Sequence, residues 1–142
     1  MHDPKRKVVA AVHAGWRGAV AGIVEKTITV MESRFGTVPE HVQVSIGPSA
    51  GVCCYEVDQM VLDKLPEAGP DPEKVVRRRR SGKAHLDLKL LIREQARSAG
   101  VRPDSITSVN LCTICHEDLF FSYRREGKVI GTMVSAIGLA PL

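Results

Sequence analysis

His13-Ala14-Gly15-Trp16-Arg17-Gly18 places an imidazole, a guanidinium and two glycines in one short stretch. A neutral imidazole is the commonest protein metal ligand, and a guanidinium can clamp a phosphate through two parallel hydrogen bonds. The glycines let the backbone turn sharply and bring amides toward an anion. The bland alternative is a hydrogen-bonded histidine beside a tryptophan that fills space. A second stretch, Gly47-Pro48-Ser49-Ala50-Gly51-Val52-Cys53-Cys54-Tyr55-Glu56-Val57, reads as a strand running into a glycine-rich loop. Such a loop could cradle phosphate or ribose with backbone amides, or simply connect a strand to a helix. Adjacent Cys53 and Cys54 are poorly placed to bridge each other, because consecutive Cα atoms lie closer than disulfide geometry prefers.

Cys112-Thr113-Ile114-Cys115-His116 admits three readings: haem attachment, half of a zinc site, or a redox dithiol. Haem attachment suits an exported chain, and no signal peptide is read in the polar Met1 to Lys7 stretch. A redox dithiol ordinarily opens a helix, whereas Phe120 to Arg125 follows as a strand pattern. A zinc site would have to recruit Cys53 and Cys54, with no standard spacing behind it. The four cysteines are therefore read as reduced structural thiols beside a loop. His85 precedes the cap of a helix and His116 sits among Glu117 and Asp118, so neither is read as a ligand. Arg77 to Arg80 could be a nucleic-acid patch, but aromatics for base stacking are scarce and no nucleic-acid fold signature is present. A solvated loop or edge strand is the reading adopted.

The elements that must position these residues alternate. Lys7 to His13 is a short apolar run that reads as a buried interior strand. A helix follows, with Val20, Ile23, Val24, Thr27, Met31 and Phe35 on one face and Gly36 at its end. Val42 to Ile46 reads as a strand, and a short helix is expected around Val57 to Leu65. Pro66 to Lys74 is loop-like. Asp87 reads as the N-cap of a helix carrying Leu88, Leu91, Ile92, Gln95, Ala96 and Ala99 inward, stopped by Gly100 and Pro103. Ile106 to Leu111 is a further strand, and Phe120 to Arg125 with Lys128 to Ile137 is expected to close a terminal hairpin. This pattern predicts one α/β domain, a layered α+β sandwich over residues 1–142.

At 142 residues, with 44% hydrophobic residues, the chain can build one core. No apolar run approaches membrane-spanning length, so a cytoplasmic protein without membrane or nucleic-acid partners is expected. The formal net charge of +4 suits an anionic small substrate as well as a nucleic acid and decides between neither.

Taken in order, HAGWRG, IGPSAGVCCYEV, HLDL and the CT…FFSYRR…G ending resemble the laccase-domain family, the YfiH-like multicopper polyphenol oxidases, from Val8 to Ile137. The resemblance implies a fold related to the catalytic domain of cytotoxic necrotizing factor. It implies purine nucleoside phosphorolysis of inosine, guanosine, adenosine and 5'-methylthioadenosine by inorganic phosphate, with metal-dependent adenosine deamination. Copper-dependent oxidation of phenols is the alternative enzyme reading, and a non-catalytic interaction module is the other. The family's metal site, zinc or alternatively copper, uses two histidines and one cysteine, of which only His13 maps here. The ligand cysteine belongs to an A-D-C segment and, like the second histidine, would precede Met1. The chain thus reads as a C-terminal half, truncated at its N-terminus and inactive alone, that pairs with the missing half or self-associates. Arg17 and Arg125 are the phosphate-side candidates on charge grounds. Gly131-Thr132-Met133 departs from the Gly-Arg-Met common in bacterial members, which removes a basic side chain there.

Overall fold

The computed structural model describes residues 1–80 and 82–140. A tight hairpin comes first, β1 (His2–Asp3) against β2 (Val8–Val9), antiparallel. Its turn is closed by Asp3, which is fully buried and accepts the backbone N–H groups of Lys5 at 2.9 Å and Arg6 at 3.1 Å. An antiparallel bridge between His2 and Gln43 joins this hairpin to β3 (Val44–Ile46). In turn β3 runs parallel to β7 (Ile106–Ser108), with Val44 opposite Ile106. Strands β2 and β3 both oppose β1, so β2, β3 and β7 all run the same way. Their carboxyl ends reach one edge.

The strand expected from Lys7 to His13 is corrected to β2 alone. Val8 and Val9 are half-buried, and the chain beyond them carries Ala11 and His13 into solvent. Lys7 has a φ of 54°, a left-handed conformation costly for a side chain with a Cβ, and the strand cannot extend back through it. The helix expected next is two helices, α1 (Trp16–Val20) and α2 (Ile23–Phe35), separated at left-handed Gly22. The buried face of α2 is Val24, Ile28 and Met31, while Phe35 points outward. Gly36 ends it as expected: in the left-handed region it lets Thr37 N–H return to the Met31 carbonyl at 3.2 Å.

A second sheet has the antiparallel order β4 (Glu56–Val57), β6 (Ala84–Leu86), β5 (Val76–Arg78). Between β4 and β5 lie α3 (Gln59–Leu62), a 3-10 turn (Leu65–Ala68) and α4 (Pro72–Val75). Much of the stretch expected as loop is thus helical, because Asp71 accepts Glu73 N–H ahead of Pro72 and starts a turn. The helix α5 (Leu88–Ser98) matches its expectation: Asp87 accepts Leu90 N–H at 3.0 Å, and Leu88, Leu91, Ile92, Gln95 and Ala96 are buried. It packs against α1, α2 and both strands of the parallel pair, which unites the layers around one core. The architecture is α/β.

The expected terminal hairpin is also corrected. Ser122 caps a short helix, α6 (Tyr123–Glu126), which left-handed Gly127 closes. From Lys128 to Ala140 the described chain contains no strand, and Val129, Ile130, Met133, Val134, Ile137 and Leu139 are exposed. An alternating apolar pattern without a pairing edge gains nothing from the extended ladder it is suited to. Among the described residues no helix is long and apolar enough to cross a membrane.

Candidate functional site

The shared edge of β2, β3 and β7 collects the three motif loops. The His13 loop leaves β2, the Gly47 to Tyr55 loop leaves β3, and the Cys112 loop follows β7. A parallel bridge between Ser49 and Cys112 carries the β3–β7 pairing outward into the two latter loops. Ligands in open α/β sheets bind at this kind of edge, beyond the strand carboxyl ends.

His13 is exposed rather than at the end of a buried strand. Its ring folds back over Gly15, where an added Cβ would stand 3.1 Å from Nε2, so a side chain there would crowd the imidazole. Gly18 is close to the His13 carbonyl in the same way, at 3.3 Å. The Arg17 guanidinium lies 4.6 Å from the Trp16 ring centroid, a cation–π contact that holds a solvent-facing charge in place. Burial pushes the Tyr55 phenol up, against the opposing influence of Arg124 and Arg17. Tyr55 therefore stays protonated. Arg124 is itself oriented by donating to the Glu56 carbonyl at 2.6 Å.

Beside this lies the group of four cysteines. Cys53, Cys54, Cys112 and Cys115 place their four sulfurs within 4.8 Å of one another. Cys115 Sγ is 3.0 Å from Cys54 Sγ and 3.4 Å from Cys53 Sγ. Among the described residues this is the one group of three or more histidine, cysteine or carboxylate side chains arranged to hold a metal. The four are free thiols, as expected, and the grouping that a zinc site would need, left aside for want of a standard spacing, is present. The signal available in the sequence was positional: each cysteine pair follows a strand, and parallel pairing of those strands brings the pairs together. Burial opposes ionisation of Cys112, but the backbone N–H of Gly51, at 3.1 Å, and those of Cys115 and Ile114 bring its pKa down to about 6. Cys53 is pushed up chiefly by burial, and Cys115 chiefly by its contact with Cys54.

Arg125 has a different place from the one expected. Its guanidinium donates to the carbonyls of Thr113 at 2.9 Å, Ile114 at 3.3 Å and Phe120 at 3.0 Å, and to Glu126 at 2.6 Å. With those donors engaged it braces the Cys112 loop and pairs with the Glu126 carboxylate. His85 binds the Val52 carbonyl at 2.9 Å and His116 the Cys112 carbonyl at 2.9 Å, so both rings hold loops. Arg77 to Arg80 are exposed, the first two on edge strand β5. A shallow cleft of about 310 Å3 opens beside the quartet, lined by Gly51, Cys53, Lys89, Arg93, Asn110 and Cys112 among others.

The family model described as multi-copper polyphenol oxidoreductase laccase matches residues 1–140. A purine nucleoside phosphorylase from Bacteroides thetaiotaomicron is 39% identical over 138 residues, covering 96% of this chain and 51% of the relative. An adenosine deaminase RL5 from an unknown prokaryotic organism is 36% identical over 136 residues, covering 95% of this chain and 52% of its own. The crystal structure of Bacillus licheniformis hypothetical protein YfiH superposes with a TM-score of 0.84 at 35% identity, over 89% of this chain and 48% of that one. The chain spans about half the length of the relatives it matches.

Proposed function

The chain belongs to the multi-copper polyphenol oxidoreductase laccase family, and we propose from that premise that it is the C-terminal half of a purine nucleoside phosphorylase. The substrates of the intact protein are then inosine, guanosine, adenosine or 5'-methylthioadenosine, with adenosine deamination as an accompanying activity. The observation that carries this reading is the convergence of the His13 loop after β2 and the Gly47 to Tyr55 loop after β3 at one sheet edge.

In phosphorolysis a phosphate oxygen forms a bond to the anomeric carbon while the bond to the purine nitrogen breaks, and the purine leaves with that electron pair. The centre passes through an oxocarbenium-like state, so the protein's part is to position phosphate and accept a charged leaving group. Arg17, exposed and held by Trp16, supplies positive charge for phosphate. The Tyr55 phenol, kept protonated, is a hydrogen-bond donor at the same edge.

His13 is the proposed metal-facing residue. A catalytic zinc ordinarily takes three protein ligands, and among the described residues no group of three includes His13. The residues described around His13 do not by themselves make a catalytic zinc site, and the isolated chain is proposed to be inactive. Copper is no better served: four thiols make a soft donor set, unlike the nitrogen and oxygen sets that suit Cu(II). This weighs against phenol oxidation by these residues.

The test is to incubate the intact protein and the 142-residue chain separately with inosine, with and without phosphate, and to follow hypoxanthine. Phosphate-dependent release by the intact protein and none by the chain is expected. Release without phosphate, or turnover by the chain alone, contradicts the proposal.

A further inference from the structure

We propose that Cys53, Cys54, Cys112 and Cys115 form a tetrathiolate zinc site that ties the loop after β3 to the loop after β7. This site is separate from the one proposed around His13 and does not depend on the phosphorylase reading. Zinc–sulfur bonds of about 2.3 Å in a tetrahedron set sulfurs roughly 3.8 Å apart. The observed separations, from 3.0 Å upward and all within 4.8 Å, straddle that spacing. A disulfide would use two of the sulfurs and leave the other two crowded against it. Four thiols have weak donors and abundant lone pairs, and one divalent cation satisfies them all.

The surroundings are those of a ligand cage. Gly51 N–H donates to Cys112 Sγ at 3.1 Å, an interaction that favours the thiolate. A Cβ on Gly51 would lie 3.0 Å from Cys112 Cβ and 3.3 Å from both Cys112 Sγ and Cys53 Sγ, so the backbone fits against the sulfurs only without a side chain. Zinc with four thiolates carries two net negative charges. Lys89, on the Leu111 carbonyl at 2.7 Å, is a cation beside the Cys112 turn, and Arg125, itself paired with Glu126, donates to the Thr113 and Ile114 carbonyls. Each thiol gives up its proton on coordination, so loading releases protons to the buffer. Cys54 and Cys115 lie 61 residues apart in sequence, and cross-linking them through a metal fixes the segment that leads into Tyr55.

The experiment uses the full 142-residue chain, reduced, stripped with a chelator and titrated with zinc. One zinc per chain is expected, released by a thiol-modifying mercurial. Cobalt in its place should give intense thiolate-to-metal charge-transfer bands and tetrahedral ligand-field bands. Cys115→Ser, at an exposed position that folding tolerates, should weaken zinc binding by at least about tenfold, the lower end of what losing even an outer partner of a metal ligand costs. His13→Ala should keep the zinc, which separates the two sites. A reduced chain that takes up no zinc overturns the proposal. So does a cobalt spectrum without thiolate bands, or Cys53→Ser and Cys115→Ser chains that bind zinc as tightly as the parent.

Discussion

Gln95, fully buried on α5, donates its side-chain amide to the Ala19 carbonyl at 2.7 Å, in the last turn of α1. The same nitrogen reaches the Ala68 carbonyl at 2.8 Å. One side chain therefore satisfies two backbone acceptors and pins the helix that follows the His13 loop onto the core. Gln95→Leu keeps the bulk but takes the side-chain donor from the Ala68 carbonyl and leaves the Ala19 carbonyl with the Gly22 N–H alone. A loss of about 1–3 kcal/mol is expected, the cost of stranding buried polar groups. Urea unfolding followed by circular dichroism measures it, and an unchanged midpoint would show that the two contacts contribute nothing.

Asp3 supplies a pH dependence. Burial opposes its charge, yet the Arg6 N–H, the Thr37 hydroxyl, the Lys5 N–H and the nearby His41 together hold the carboxyl below its ordinary value. A depressed folded pKa means that the stabilisation is complete above the unfolded value of about 3.9 and is lost as pH falls through the folded one. The parent should thus lose more stability than Asp3→Asn when the pH is lowered from about 5 to about 2. Thermal melts across that range read the difference, and parallel curves would contradict it.

What the sequence made legible was local. Gly36 and Asp87 announced the end of α2 and the start of α5 because each acts within a few residues, through a left-handed turn and a side-chain cap. The inward face of α5 followed from helical spacing. The terminal hairpin misled because Phe120 to Arg125 alternates like a strand, while the Ser122 cap on Arg125 N–H and left-handed Gly127 favour one helical turn. The cysteine quartet could not be read from spacing, since its two halves meet only through the parallel pairing of β3 and β7. Arg125 was chosen on charge, and charge does not reveal that its donors are already occupied by carbonyls.

Gly51→Ala tests how closely that loop is packed. The new methyl would meet Cys112 Cβ at 3.0 Å, a contact that forces the backbone or the cysteine to move. A loss of about 1–3 kcal/mol is expected for overpacking of this kind. Zinc affinity of the reduced chain should fall with it. Denaturant midpoints and zinc titration on the same preparation check both effects, and a variant as stable as the parent would show that the loop has room to spare.

Arg17 and Arg125 should separate cleanly. Arg125→Ala removes donors from three carbonyls and should destabilise the isolated chain, by about 1–3 kcal/mol. Arg17→Ala, at an exposed position, should leave stability within about 0.5 kcal/mol. In the intact protein it should raise the KM for phosphate. Equal stability losses in the two variants, or an unchanged phosphate KM for Arg17→Ala, would reverse the assignment.

The most direct test of the central claim is inosine phosphorolysis by the intact protein carrying His13→Ala, compared with His41→Ala. His41 lies in the short 3-10 turn Pro39–His41 before β3, where its ring meets only the exposed Lys5 amine among the hydrogen bonds described. The account predicts that His13→Ala abolishes phosphate-dependent hypoxanthine release and lowers the metal content of the folded protein, while His41→Ala retains both. A His13→Ala protein that keeps metal and full turnover would contradict it.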